Sequence, residues 1–89
     1  MYYVYILENK EGGTYTGYTQ DLRERMKRHE SGGTKSTRGK KWTLVYYEAY
    51  LSKEEAITRE RRLKKSHQAR RWLRERIAGS MEAALNDMR

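Results

Sequence analysis

The chain is short and basic, and both properties limit what it can be. Its 89 residues are enough for one domain, because the residues left over could not build a second hydrophobic core. Twenty lysines and arginines against 12 acidic residues give a net charge of +8, so an anionic partner is expected. There is no cysteine, no apolar run near the ~20 residues of a membrane span and no secretory signal at the start. We therefore expect a cytoplasmic, monomeric protein that does not enter a membrane.

The first third of the chain predicts a β-hairpin followed by an amphipathic helix. Residues 2–7 are rich in β-branched and aromatic side chains, residues 8–13 are of turn type, and strand character resumes over residues 14–18. Asp21 and Glu24 form a capping box that opens the helix, and a glycine pair ends it. Four residues recur at helical spacing on one face of that helix: Leu22, Arg25, Met26 and His29.

The remaining chain predicts one more strand and two helices. Residues 42–51 form an aromatic strand, which we expect at the centre of the sheet. Ser52 and Ser66 each open a helix, the first running to Lys65 and the second to Gly79. The side chains expected to face inward are Ala56, Ile57, Glu60 and Leu63 in the first of these helices and Ala69, Trp72, Leu73 and Ile77 in the second. The fold class is α+β, with a small three-stranded antiparallel sheet, three or more packed helices, and a short helix or flexible tail over residues 79–89.

One carboxylate interrupts the apolar face of the second helix. A buried glutamate needs a partner, because an unpaired ionised carboxylate in an apolar setting is costly. An ordinary salt bridge would supply one, from Arg25, Arg59 or Lys64. The other candidate partner of Glu60 is Mg²⁺, which often takes only one or two protein carboxylates. The sequence has no Asp-x-Asp, Cys/His cluster or His-Glu-x-x-His, so zinc and carboxylate-rich two-metal sites are disfavoured.

Arg25 and His29 are four residues apart and therefore share one face of the first helix. Arg25 is either a surface cation whose stem passes over the core or a charge that neutralises a bound anion. His29 is either a packing or capping residue near the end of the helix or part of the same centre. Both side chains should emerge at the edge of the sheet.

Basic side chains are concentrated in two segments that flank these polar residues. Eight fall within residues 61–76 and four within residues 35–41. A solvated helix face and a basic loop would explain them without any ligand. We favour nucleic acid, with an anionic membrane surface or ribosomal RNA as alternatives. The residues expected to contact nucleic acid are Lys35, Arg38, Lys40, Lys41, Arg61, Lys64, Lys65, Arg70 and Arg71.

Several short motifs, in the right order and at matching distances, resemble the GIY-YIG nuclease superfamily. Its opening motif falls on Tyr3-Val4-Tyr5 and its second on Tyr15-Thr16-Gly17. The helix arginine, the histidine and the later glutamate follow, and the similarity covers about residues 2–77. The pattern is similar to that of the small stand-alone bacterial members with a single domain.

The resemblance implies a role for each matching residue. Tyr5 would be the general base for the attacking water, or the partner of that base, and Tyr15 would orient water or phosphate. Arg25 would stabilise the negative charge of the pentacovalent transition state, and His29 occupies a position where several relatives carry histidine. Glu60 would hold a single divalent metal, Mg²⁺ or Mn²⁺. A tyrosine base with an ordinary pKa of about 10 implies cleavage that accelerates with rising pH, unless the site depresses that value.

The residues and the resemblance together predict a metal-dependent nuclease that hydrolyses phosphodiester bonds in nucleic acid, DNA more than RNA, in DNA repair or processing. Residues 1–78 would form the nuclease domain. Tyr18 stands where some relatives carry lysine, so a proton shuttle through that lysine is excluded. Two rival interpretations remain: a nucleic-acid-binding module with little or no catalysis, and an RNA- or ribosome-associated protein that uses the same surface.

Overall fold

The structure is a computed structural model that describes residues 1–33, 37 and 39–87. In that part of the chain the elements follow in the order β1 (Tyr2–Asn9), β2 (Thr14–Thr19), α1 (Leu22–Glu30), β3 (Trp42–Tyr50), α2 (Lys53–Lys65), α3 (His67–Arg76) and α4 (Ala78–Asp87). The predicted α+β class and the three-stranded antiparallel sheet are confirmed. Among the helices described, none is long and apolar enough to cross a membrane.

The central strand of the sheet is β1, which pairs antiparallel with β2 on one side and β3 on the other. The prediction that residues 42–51 form the central strand is therefore wrong. The two strands differ in burial. Strand β1 is buried continuously from Val4 to Asn9, as expected of a strand packed on both faces, whereas much of β3 is partly exposed. Aromatic content alone does not distinguish a central strand from an edge strand.

The helices begin where their capping residues predict. In each of three helices, a side chain before the first turn accepts a hydrogen bond from a backbone N–H three positions on: Asp21 from Glu24 at 3.0 Å, Ser52 from Glu55 at 3.2 Å and Ser66 from Ala69 at 3.1 Å. Ser66 is also the C-terminal cap of α2, so a single residue separates α2 from α3. At the end of α1, Gly32 takes a φ of +75°, the left-handed conformation that glycine adopts without strain.

The hydrophobic core lies between one face of β1 and the helices that follow β3. Its buried residues are Val4, Ile6, Ala56, Leu63, Ala69, Leu73 and Ile77. Tyr3, Tyr5 and Leu7 alternate with the core residues of β1 and therefore point to the opposite face of the sheet. That second face is where α1 brings its histidine against the strand.

Two details of the C-terminal helices differ from the prediction. Trp72 does not face inward: it is 62% exposed, because the neighbouring Leu73 takes the core position and consecutive residues on a helix point about 100° apart. Gly79 does not end α3, which stops at Arg76, and instead lies within α4. The helix α4 packs against the core through Met81 and buries Ala84.

Candidate active site

A buried tyrosine and a buried histidine meet on the second face of the sheet. The hydroxyl of Tyr5 lies 2.9 Å from Nε2 of His29, and the two residues are 0% and 6% exposed. The ring of Tyr15 packs at a steep angle against His29, with centroids 5.2 Å apart, and lies 6.3 Å from the ring of Tyr5. Strands β1 and β2 and helix α1 each contribute one ring, so the cluster forms only in the folded chain.

The pairing of β1 with β2 explains how these rings come together. Tyr5 is paired with Gly17 and Leu7 with Tyr15, so the two tyrosines lie diagonally across the hairpin on one face. Gly17 has no side chain, and the phenol of Tyr5 occupies the space where one would be. In α1, the histidine follows Arg25 by one helical turn, which directs both side chains to the same side.

The charges around the site act on the Tyr5 hydroxyl. Burial, and after it the nearby phenol of Tyr15, raise the pKa of Tyr5 to about 12. Arg25 opposes this through its positive charge and a side-chain hydrogen bond, whereas the carboxylate of Glu60 raises the value. Of the five predicted catalytic residues, Tyr5, Tyr15 and His29 are in contact with one another, and Arg25 and Glu60 act on the Tyr5 hydroxyl through their charges. The site raises the pKa of this tyrosine, so at neutral pH the phenol carries its proton.

The histidine is neutral under the same conditions. Burial lowers the pKa of His29, and the charge of Arg25 lowers it further, because both disfavour the imidazolium ion. A neutral imidazole can accept a proton at one ring nitrogen while donating at the other. The second nitrogen, Nδ1, lies 2.7 Å from the hydroxyl oxygen of Thr37.

The carboxylate of Glu60 is partly exposed, at 22%, and lies 3.3 Å from the ammonium group of Lys64. Of the three cations considered as its salt-bridge partner, Lys64 is the one that pairs with it. Arg59 instead pairs with Glu48. Because the lysine side chain is 51% exposed and flexible, the carboxylate can exchange this partner for another cation.

One carboxylate near the tyrosine pair could hold a divalent metal ion. Within the described residues, no group of three His, Cys, Asp or Glu side chains is arranged to hold a metal. A hard divalent cation needs less from the protein, since one carboxylate with water and phosphate oxygens can complete its shell. Glu60 is the carboxylate whose charge reaches Tyr5, and it would be the ligand.

The residues expected to contact nucleic acid fall into three groups. Lys35 and Arg38 lie outside the described residues. Arg70 is engaged within the fold, since its Nη1 donates to the carbonyl oxygens of Leu63 at 3.0 Å and Lys64 at 2.5 Å at the end of α2. The others are exposed at the surface, two of them within helical ion pairs: Lys40, Lys41, Arg61, Lys64, Lys65 and Arg71.

Sequence reasoning did not assign two polar residues that the structure places in networks. Thr37 is 1% exposed beside His29, and no local pattern in the Gly/Ser/Thr-rich segment signals this contact. Glu48 accepts hydrogen bonds from three side chains: Tyr46, Tyr50 and Arg59. A carboxylate with tyrosines two residues before and after it on one strand face is a signal that could have identified this network.

Several known proteins are similar to this chain in sequence and in fold. The model of the GIY-YIG catalytic domain family matches residues 1–74. The UPF0213 protein BH0048 of Halalkalibacterium halodurans is 51% identical over 72 residues, which cover 79% of this chain and 74% of the relative. The UPF0213 protein VNG_2274C of Halobacterium salinarum is 42% identical over 73 residues, covering 80% and 95%. The solution NMR structure of the UPF0213 protein BH0048 from Bacillus halodurans aligns with a TM-score of 0.53 at 48% identity, over 82% of each chain.

Proposed function

This chain belongs to the GIY-YIG catalytic domain family, and on that premise we propose that it is a metal-dependent nuclease that hydrolyses phosphodiester bonds in nucleic acid, with DNA as the preferred substrate. The observation that carries the proposal is the 2.9 Å hydrogen bond between the Tyr5 hydroxyl and Nε2 of His29, formed beside a guanidinium that acts on the same hydroxyl. Hydrolysis needs a group that takes a proton from water and a positive charge that stabilises the attacked phosphate.

The proton moves along the tyrosine and the histidine. A phenol with a pKa of about 12 is not an anion in advance, so it cannot act as a base by itself at neutral pH. It can pass its proton to the neutral ring of His29 while it takes one from the attacking water. The histidine is thus the final acceptor of the proton, and Tyr5 relays the proton from the attacking water to it.

The remaining charged residues act on the phosphate. Arg25 supplies a fixed positive charge beside the tyrosine, where negative charge accumulates on the phosphate oxygens in the transition state. Glu60 is the residue that would hold the divalent ion. When bound, that ion supplies positive charge to the phosphate and to the departing oxygen.

The test is a cleavage assay with labelled single-stranded, duplex, flap and branched DNA and the matching RNAs, in Mg²⁺, Mn²⁺ or EDTA. Tyr5→Phe removes one hydroxyl, and Glu60→Ala removes the carboxylate. We expect both variants to bind nucleic acid like the wild type and to lose cleavage. Arg25→Ala should lose about 10²–10³-fold in rate, as other transition-state charge stabilisers do.

Three matched variants control for general damage to the fold. Tyr3→Phe is the control for Tyr5→Phe and removes a hydroxyl two residues earlier on the same strand. Arg28→Ala is the control for Arg25→Ala and removes an exposed arginine of the same helix. Glu75→Ala is the control for Glu60→Ala, since both carboxylates belong to helical ion pairs whose members are four residues apart. All three should cleave like the wild type. Binding without cleavage by the wild type, on every substrate and metal, would establish the binding-module alternative instead.

A further inference from the structure

Both ring nitrogens of His29 face hydroxyl groups. Nε2 lies 2.9 Å from the oxygen of Tyr5 and Nδ1 lies 2.7 Å from the oxygen of Thr37. A hydroxyl can donate or accept, so two arrangements satisfy the distances: the ring proton is on Nδ1 or on Nε2. Only the first leaves a lone pair on Nε2 that can receive the proton of Tyr5.

We propose that Thr37 is a positioning residue that holds the ring proton of His29 on Nδ1, where it is donated to the threonine oxygen, and so keeps Nε2 open toward Tyr5. The effect of Thr37 on cleavage rests on the proposed nuclease function, whereas the position of the ring proton of His29 does not depend on it. Which nitrogen of a histidine carries the proton is set by the hydrogen bond made by the other one. An imidazole without a partner on Nδ1 favours the proton on Nε2. To keep the proton on Nδ1, the site therefore needs a hydrogen-bond acceptor at that nitrogen, and the Thr37 oxygen is in place to be one.

The position of Thr37 is fixed by the sheet. The residue is 1% exposed, and its backbone carbonyl accepts a hydrogen bond of 3.0 Å from the indole N–H of Trp42. Trp42 is the first residue of β3, and its ring packs against that of Tyr15 with centroids 6.4 Å apart. The threonine is therefore tied to the same aromatic cluster that holds the histidine.

The contact also orients the ring. Two hydrogen bonds on opposite nitrogens define the plane and the direction of an imidazole, whereas one restricts rotation about the bond to Cβ less tightly. Loss of the threonine hydroxyl should then both release the proton from Nδ1 and broaden the distribution of ring orientations. The reaction would slow, because fewer molecules present an acceptor to Tyr5 at a given time.

The direct test is ¹⁵N NMR of histidine-labelled protein above pH 8, where ordinary imidazoles are neutral. The chain has 2 histidines, and the second, His67, serves as an internal reference because its proton is expected on the other ring nitrogen. Nδ1 of His67 lies 2.9 Å from Nη2 of Arg70, which can only donate, so the proton of His67 belongs on Nε2. We expect the protonated nitrogen to be Nδ1 in His29 and Nε2 in His67, with His67→Gln providing the assignment.

Two variants then test the role of the hydroxyl. Thr37→Val keeps the shape of the side chain and should move the His29 proton toward Nε2, whereas Thr37→Ser should keep it on Nδ1. A wild-type spectrum with the His29 proton on Nε2 overturns the proposal, even if the valine variant does not fold. An unchanged tautomer in a folded Thr37→Val protein also overturns it.

Cleavage supplies the second readout. Thr37→Val should lower kcat by about 10–100-fold, the range typical when the hydrogen-bond partner of a metal-ligating histidine is removed, and leave nucleic-acid affinity unchanged. Thr37→Ser should restore most of the rate. Wild-type protein that cleaves nothing would refute the proposed function but not the tautomer assignment, which the spectrum decides by itself.

Discussion

The phenol of Tyr5 lies directly over Gly17, its partner on β2, and a Cβ atom built on that glycine would overlap the ring and the hydroxyl. The glycine has no left-handed φ, so the close approach of the ring is what requires it. Position 17 of this chain is thus a glycine because the ring of Tyr5 needs that space.

Gly17→Ala should therefore remove activity by displacing Tyr5 from His29. We expect a loss of about 1–3 kcal/mol in the free energy of unfolding from overpacking, with the strand retained. Gly79→Ala is the control, since a Cβ there meets nothing and alanine favours a helix. Cleavage rates and urea denaturation of the two variants are the measurements, and full activity of Gly17→Ala would contradict the assigned packing.

The rate of cleavage should depend on the protonation of His29 and not on that of the tyrosine. Burial and the charge of Arg25 both lower the pKa of His29, so the rate should rise with pH, with the midpoint of the rise below the ordinary histidine value of about 6.5. No second rise is expected until the pH approaches the pKa of Tyr5, about 12. Arg25→Gln should move the rise to higher pH, as measured by kcat from pH 4.5 to 10. A rate that climbs steadily from pH 7 to 10 would indicate a different base.

Exposed lysines should govern the salt dependence of binding, whereas Arg70 should govern stability. Lys41→Ala and Lys65→Ala should each reduce the slope of log affinity against log salt by about 0.9 on duplex DNA, if each contacts one phosphate. Arg70→Ala should change that slope little and lower the free energy of unfolding by about 1 kcal/mol, because its guanidinium caps the end of α2. Fluorescence anisotropy and thermal denaturation measure the two effects. A normal melting temperature with a reduced slope for Arg70→Ala would assign it to the binding surface.

Glu48 should stabilise the fold at neutral pH and lose this effect in acid. Burial alone would raise the pKa of Glu48, but hydrogen bonds from Tyr46, Arg59 and Tyr50 hold it below its ordinary value. A carboxyl whose pKa is depressed on folding contributes stability above its unfolded pKa and loses it as the pH falls through the folded value. Glu48→Gln should cost about 2 kcal/mol at pH 7 and much less at pH 3, measured by urea denaturation. Glu75 is exposed, and as a control Glu75→Gln should lower the free energy of unfolding by under about 0.5 kcal/mol at both pH 7 and pH 3.

Glu8 should show the opposite dependence. It is 2% exposed, one of its oxygens has no hydrogen-bond partner in the part of the chain that is described, and burial raises its pKa despite the nearby charge of Arg74. A carboxyl with a raised pKa favours folding below its unfolded pKa, and this contribution is lost as the pH rises through the folded value. Glu8→Gln should therefore raise the melting temperature at pH 8 and leave it unchanged at pH 3.5. A lower melting temperature at pH 8 would show that attraction to the charge of Arg74 outweighs the cost of burying the carboxylate.

The local elements and the family could be predicted from the amino-acid sequence alone. Helix starts depend on contacts three residues apart, as between Asp21 and Glu24, and such contacts are present in the sequence itself. The same holds for the strands of the hairpin and for the motifs that carry Tyr5 and Tyr15. These features require no knowledge of which elements pack together.

Only the tertiary structure decided which strand is central, that Trp72 lies outside the buried face of α3, and which groups meet in the site. The contact of His29 with Thr37 and that of Glu48 with Arg59 join residues 8 and 11 positions apart on different parts of the fold. Their distances depend on strand order and on how each helix lies against the sheet, which are collective results of packing the whole core. Local patterns therefore identified Tyr5 and His29 as candidates, and the packed sheet and α1 turned them into a hydrogen-bonded pair.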